Sequence, residues 1–299
     1  MTNWYKGNLH AHTTESDGDA PPEQVAAWYA GHGYDFLAIS DHNTLTLLPE
    51  DATGPRPLMV PGEELTVQLE GQERAVYVNC VGNLKTIEPV NAGSVLSTIQ
   101  ANVDAVVAAG ALAIAAAPFD RPGFDSSSMR EIHGVGLMDV YNAHPMIVEG
   151  DPDEFSFEDL WDGLLTAGMT VFATATDDAH NFLEFGPDKA NPGGAWIYLR
   201  ADDLSVASVL SALTDGEFYS TTGLTLADVR RMPTSLEVSV EPSPAVSFTT
   251  KFIGPGGKVL DEQTGPQTSY RLSGDESYVR ARVTSSDGSR AWTQPVMAA

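Results

Sequence analysis

Asn8-Leu9-His10-Ala11-His12-Thr13-Thr14-Glu15-Ser16-Asp17-Gly18 decides how the chain reads, together with two later echoes, Asp41-His42 and Asp178-Ala179-His180. Side chains alternate faces along an extended strand, so His10 and His12 share a side, as do Asp178 and His180. On a helix, residues two apart diverge by about 200° and could not share one ion. The spacing therefore makes metal-ligand sense on strands. Leu9 and the apolar run Phe36-Leu37-Ala38-Ile39 before Asp41 supply the strand context. Imidazole and carboxylate without a neighbouring thiolate suit Zn, Mn or Fe rather than a structural thiolate site.

Outward from this stretch, strands and helices alternate. Asp19 and Pro21-Pro22-Glu23 read as a helix start, and Gln24 to Ala30 carries a helical pattern that stops at Gly31 and Gly33. Tyr34 to Ser40 reads as a buried strand ending at Asp41-His42, Leu58-Met59-Val60 as another, and Val76 to Val81 as a fourth. Ser94 caps a helix to about Ala109, and Leu112 to Ala117 follows as a strand closed by Pro118. Val135 to Tyr141 is a strand ending at Asn142. Ser156 opens a helix stopped by Gly168, and the strand Thr170 to Ala175 delivers Asp177-Asp178-Ala179-His180. Ala195 to Leu199 and a helix from Leu204 to Leu213 complete the series. Polar residues recurring at the C-terminal ends of strands describe a parallel β/α barrel, with a doubly wound sheet as the rival.

From Pro233 the texture changes to short strands with period-two alternation, Leu236 to Val240, Phe248 to Ile253, Ser269 to Leu272 and Tyr278 to Val283. This predicts a barrel domain over 1–230 and a small β-sandwich-like or β-hairpin domain over 231–299. The 41 acidic against 16 basic residues give a formal charge of -25, which disfavours nucleic acid and anionic membranes as partners and points to a small-molecule substrate. Cys80 is alone, so no disulfide framework is expected. The first ten residues lack a basic region followed by an apolar core, so the expected compartment is the cytoplasm.

Taken together, His-x-His with Asp17-Gly18, then Asp41-His42-Asn43-Thr44, Gly62-Glu63-Glu64-Leu65 and Asp178-x-His180 resembles the PHP (polymerase and histidinol phosphatase) superfamily of metal-dependent hydrolases. The wording Trp4-Tyr5-Lys6-Gly7-Asn8-Leu9-His10 and Ala38-Ile39-Ser40-Asp41-His42-Asn43 is similar to its CehA/McbA branch. Met138-Asp139-Val140-Tyr141-Asn142, Phe218 to Gly223 and Ala291-Trp292-Thr293-Gln294-Pro295 extend the likeness over nearly the whole chain. The resemblance implies a distorted (βα)7 barrel holding up to three metal ions. It implies that His10, His12, Glu64 and Asp178 form one site, and Asp17, His42 and His180 another. Period two aims Glu63 away from the first. Tyr77 and Ala117 stand where the family carries histidines, so the third site is expected to be lost, leaving two ions or fewer. Asp139 stands where glutamate is common.

A divalent ion lowers the pKa of bound water from about 15.7 to about 7 and polarises a phosphoryl or carbonyl oxygen. The leading expectation is a phosphoesterase acting on a small phosphate ester. The rivals are a carbamate, ester or amide hydrolase and a non-catalytic, metal-stabilised binding protein. Asp177 is a candidate acceptor for a ligand histidine, with a turn carboxylate as the plainer reading. His144 is a candidate substrate contact or extra ligand, against loop hydrogen bonding. Arg121 is a candidate clamp for phosphate or carboxylate, against a salt bridge to Asp120 or Asp125.

Overall fold

The computed structural model describes residues 3–49, 53–116, 126–147, 156–243 and 246–298. In order come β1 (Asn3–Asn8), α1 (Pro22–Gly31), β2 (Phe36–Ala38), β3 (Leu58–Val60), β4 (Gly62–Val67), β5 (Val76–Val81), α2 (Val95–Ala108) and β6 (Leu112–Ala115). They are followed by α3 (Ser126–Met129), β7 (Val135–Asn142), α4 (Phe157–Thr166), β8 (Phe172–Thr176), β9 (Trp196–Ala201), α5 (Val206–Asp215) and β10 (Phe218–Thr221). The remainder is β11 (Leu226–Met232), β12 (Ser235–Val240), β13 (Phe248–Gly254), β14 (Lys258–Thr264), β15 (Gln267–Arg271), β16 (Tyr278–Ser285), β17 (Arg290–Thr293) and β18 (Val296–Met297).

Local chemistry sets many of these limits. Ser94 and Ser156 each accept a backbone N–H three residues on, satisfying an orphan donor at the starts of α2 and α4. Gly216, at φ 66°, closes α5 in the left-handed region that glycine occupies without steric cost. Gly7 matters for a different reason. A Cβ there would lie 2.2 Å from the Phe36 ring, so glycine lets that ring cross β1 where the two residues pair.

The strands form two main sheets. One runs β14-β13-β16-β17-β10-β9-β1-β2-β3, and the other β4-β5-β6-β7-β8. Two isolated parallel bridges connect their margins, Ala11 with Ala179 just beyond β1 and β8, and His42 with Glu64 just beyond β2. A third sheet, β11-β12-β15, belongs to the tail.

The molecule is a mixed α/β protein, richer in strands than the expected alternation. Helices do not separate β3, β4 and β5. Pro61, lacking an N–H, falls between β3 and β4, and the short connection 68–75 permits the antiparallel β4–β5 pairing. β9 also runs antiparallel to β1. Strand β14 escaped the sequence reading because Asp261-Glu262-Gln263 lacks β-forming character; it lies at the sheet edge and pairs only with β13 along its length.

The tail is joined to the rest through buried polar contacts. Arg280 donates to Asp162 from Nε and Nη2 at 2.7 and 2.6 Å, reaches Glu158 at 2.9 Å, and lies over the Trp161 ring. Gln294 clasps the backbone of Ala173 in β8, accepting its N–H and donating to its carbonyl, both at 2.8 Å. No helix among the described residues is long and apolar enough to cross a membrane.

Candidate metal centre

The two bridges bring the critical strand ends together. Asp178 N–H donates to the His10 carbonyl at 3.1 Å and His12 N–H to that of Ala179 at 2.8 Å, so the two motifs lie side by side. Gly18 then turns the chain back over His12, where a Cβ would lie 2.5 Å from the His12 carbonyl oxygen. That turn returns Asp17 to the cluster. Asp41, fully buried, pins the same loop by accepting from Thr13 N–H and Oγ1 at 2.7 Å each and Ser16 Oγ at 2.6 Å, and is itself held by Thr46 Oγ1 of its own loop at 2.5 Å. Asp178 at φ 50° and Asn43 at φ 55° hold left-handed conformations, a strain concentrated where the clustered side chains meet.

His10 Nε2 and His12 Nε2 are 3.0 Å apart, and Asp178 Oδ1 lies 3.1 and 3.3 Å from them. Ligand atoms about 2.1 Å from a tetrahedral ion are separated by about 3.4 Å, so these three atoms have coordination-shell spacing. A second group joins His12, Asp17, His42 and His180. Asp17 Oδ1 is 3.6 Å from His12 Nδ1 and 3.3 Å from His180 Nε2, while its Oδ2 is 3.4 Å from His42 Nε2. His12 therefore belongs to both groups, although the family resemblance implies only one for it. Glu64 lies between them, 3.6 and 3.7 Å from His10 and His12 but 3.0 Å from His42 Nδ1.

The electrostatics demand positive charge here. Burial opposes protonation of His10, yet Asp178 and Glu64 outweigh it and raise its pKa to about 9. His42 is raised to about 10 against the same penalty by Asp17 and Glu64. Burial would raise Glu64, but His10, His42 and His12 hold it at about 2, and the surrounding imidazoles hold Asp178 well below the carboxylate range. Several carboxylates and imidazole nitrogens of closely spaced residues, mostly buried, fit a divalent cation.

Orienting contacts surround this set. Asn142, buried at the end of β7, donates to Asp178 Oδ2 at 3.1 Å, leaving Oδ1 toward the imidazoles. Thr66 Oγ1 is 2.7 Å from His42 Nδ1, and the Asp178 carbonyl is 2.9 Å from His180 Nδ1. Asn43 ties the His42 loop to β4 by accepting from Thr66 N–H and donating to its carbonyl. Asp41, Asn142 and Thr66 were not assigned roles from sequence. Their only signal was a polar residue at a strand end or beside a ligand.

Asp177 requires a correction. It contacts no ligand histidine; it accepts from Tyr29 O–H at 2.9 Å, Gly194 N–H at 2.7 Å and Ala195 N–H at 2.9 Å. Its side chain points away from the cluster, and the chain turns left-handed at the next residue, Asp178. Burial raises its pKa to about 6 despite those donors. Glu63 also faces away, accepting from Asn83 and Ile87. Asp139 accepts from Thr174 and Thr176, and burial lifts its pKa to about 7. Arg121 and Ala117 lie outside the described residues.

The cluster opens into a cavity of about 370 Å³ whose other walls include Tyr77, His144, Met146 and Arg74. The Tyr77 ring is 6.0 Å from that of His42. A groove of about 610 Å³ beside Glu237, Ser239 and Thr268 lacks comparable chemistry.

The strand-rich α/β fold has counterparts among known structures. A two-domain protein from Bacteroides vulgatus, containing a predicted PHP-like metal-dependent phosphoesterase, matches with TM-score 0.51 at 13% identity, over 95% of this chain and 90% of that one. A candidate metal-dependent phosphoesterase from Bifidobacterium adolescentis matches with TM-score 0.42 at 16% identity, over 69% and 95% of the two chains. An amidohydrolase from Chromobacterium violaceum, with bound sulfate and no metal, gives 0.41 at 15% identity, over 62% and 93%. The first likeness shows that this chain shares its fold with that two-domain protein; it does not single out the CehA/McbA branch. No protein-family model matches the chain, and no curated protein matches it significantly.

Proposed function

We propose that the chain is a metal-dependent hydrolase using metal-activated water, with a small phosphate ester as substrate. The carrying observation is the convergence of His10 Nε2, His12 Nε2 and Asp178 Oδ1 within 3.0–3.3 Å. His10, His12, Glu64 and Asp178 would hold one ion, and Asp17, His42 and His180, sharing His12, a second; zinc, manganese and iron all suit this donor set. Tyr77 in place of a histidine supports two ions or fewer. When bound, such an ion supplies an acidified water and a Lewis acid. The protein's own contribution is positional: Asn142 turns Asp178 inward, Asp41 fixes the loop carrying Asp17, and the cavity admits a small molecule.

Strands β1 to β10 of the two connected sheets are read as the walls of a distorted barrel over 1–230, with 231–299 as the appended β-rich domain that extends one of those sheets. The charge of -25 supports a small-molecule substrate rather than nucleic acid or a membrane, and the lone Cys80 supports a cytoplasmic setting. Carbamate, ester or amide hydrolysis is the second reading. It is favoured by the carboxylates of Asp17, Glu64, Glu73 and Asp178 around the cavity, which repel a phosphate dianion more than a neutral carbonyl.

The test is a screen of phosphomonoesters, phosphodiesters and aryl carbamates with Mn, Zn or Fe supplied. Turnover of a phosphate ester, abolished in His10→Ala along with bound metal, is expected. Carbamate cleavage with phosphate esters untouched would select the second reading. A parent as inert as His10→Ala on all substrates would remove both.

A further inference from the structure

His144 follows β7 and lines the same cavity as the ligand cluster. Two contacts fix what its ring can do there. The His144 backbone N–H donates to Asn142 Oδ1 at 2.9 Å, and its ring Nδ1 accepts from Met146 N–H at 3.2 Å. A backbone amide can only donate, so Nδ1 presents a lone pair and the ring proton resides on Nε2, at the other edge. The ring also stands edge-on to His180, with centroids 5.3 Å apart and planes at 79°. Held this way, the polar atom His144 can offer the cavity is an N–H. That atom has no lone pair for a cation. An anionic oxygen is its natural partner.

We propose that neutral His144 donates Nε2–H to a non-bridging oxygen of the phosphoryl group undergoing hydrolysis, as a catalytic hydrogen-bond donor and not as an additional metal ligand. This rests on the hydrolase reading above. Water forms the new P–O bond, the bond to the leaving alcohol breaks, and one water proton reaches the departing oxygen through solvent. His144 keeps its proton throughout. Its contribution is a preorganised dipole aimed at an oxygen whose negative charge needs a partner during attack. A neutral donor also adds no charge competing with the cation. Asn142 serves both sides, since one amide orients Asp178 through Nδ2 and anchors His144 through Oδ1.

The experiment compares the Mn-loaded parent with His144→Ala and His144→Gln by ions per chain, inorganic phosphate affinity and kcat/KM on p-nitrophenyl phosphate. All three proteins should carry the same ions. Phosphate affinity should weaken in His144→Ala, kcat/KM should fall about 10²-fold, and the Gln variant, whose amide can donate, should recover part of both. Loss of an ion in His144→Ala would show a ligand and overturn the proposal. Unchanged phosphate affinity and kcat/KM would also overturn it, reducing His144 to a wall of the cavity. If the parent binds Mn and phosphate without turnover, the phosphate measurement alone still decides the contact while the hydrolase reading fails. A parent that binds no Mn removes both.

Discussion

Asp177 and Asp178 are adjacent, buried carboxylates with opposite tasks: both lie just past β8, the chain turns left-handed at Asp178, and the two side chains meet different neighbours. Asp178 meets imidazoles; Asp177 gathers three N–H and O–H donors from Tyr29, Gly194 and Ala195. Asp177→Asn keeps the shape and can keep Oδ1 on the Gly194 and Ala195 N–H groups, but its amide then forces the Tyr29 hydroxyl to accept instead of donate, and hydrogen bonds to a carboxylate become weaker neutral ones. It should cost about 1–3 kcal/mol in thermal or urea unfolding. The ions per chain should be unchanged. His10→Ala should behave oppositely, retaining a folded chain while losing bound metal by elemental analysis, because it removes a converging nitrogen and leaves no aimed donor. Loss of metal in Asp177→Asn would restore the ligand-orienting role expected from sequence.

At the scale of elements, α4 shows how local and distant chemistry combine. Ser156 caps its first turn, a feature readable from the sequence, whereas its inward Glu158 and Asp162 are held by arginines from β16 more than a hundred residues away. Burial would raise the Glu158 pKa, but Arg280 and Arg282 outweigh it and hold it at about 2. A carboxylate with a lowered folded-state pKa contributes stability above its unfolded pKa and loses it as pH falls through the folded one. The parent should therefore be more stable than Glu158→Gln above pH about 4.5, with the difference disappearing toward pH about 2. Melting temperatures measured across that window check this. A gap independent of pH would show that the ion pairs contribute nothing specific to charge.

The whole molecule depends on joins between pieces that look separate in the sequence. β10 pairs antiparallel with the tail strand β17, and Arg280 and Gln294 bind α4 and β8. A chain ending at residue 230 would lose those partners and expose Trp161 and Tyr219, which are buried in the full chain. It should lose near-ultraviolet circular dichroism and aggregate; a soluble, cooperatively melting fragment would show that the barrel half folds alone. The proposed metal binding would act at the same scale, because His10 and His12 follow a strand of one sheet whereas Glu64 belongs to the other. Chelation should lower the melting temperature of metal-loaded protein, as ions at a hundred times their Kd contribute about 2.7 kcal/mol. No shift in protein that demonstrably carried metal would argue against an ion bridging the sheets.

His10, His12, Asp178 and His180 lie just past β1 and β8, flanking the Ala11–Ala179 bridge rather than within the expected strands. The sequence by itself determined the residue types of the cluster, the serine caps, the outward turn of Glu63 and the acidic surface. Those properties follow from alternation, capping and charge, which act over a few residues or none. Tertiary structure alone decided that His12 serves two groups, that Glu64 lies between them, that Asp177 braces the loop at Gly194, and that β4 and β5 pair antiparallel. Each depends on which distant segments become neighbours. Backbone pairing and packing settle that choice across the whole chain, where local periodicity carries no information.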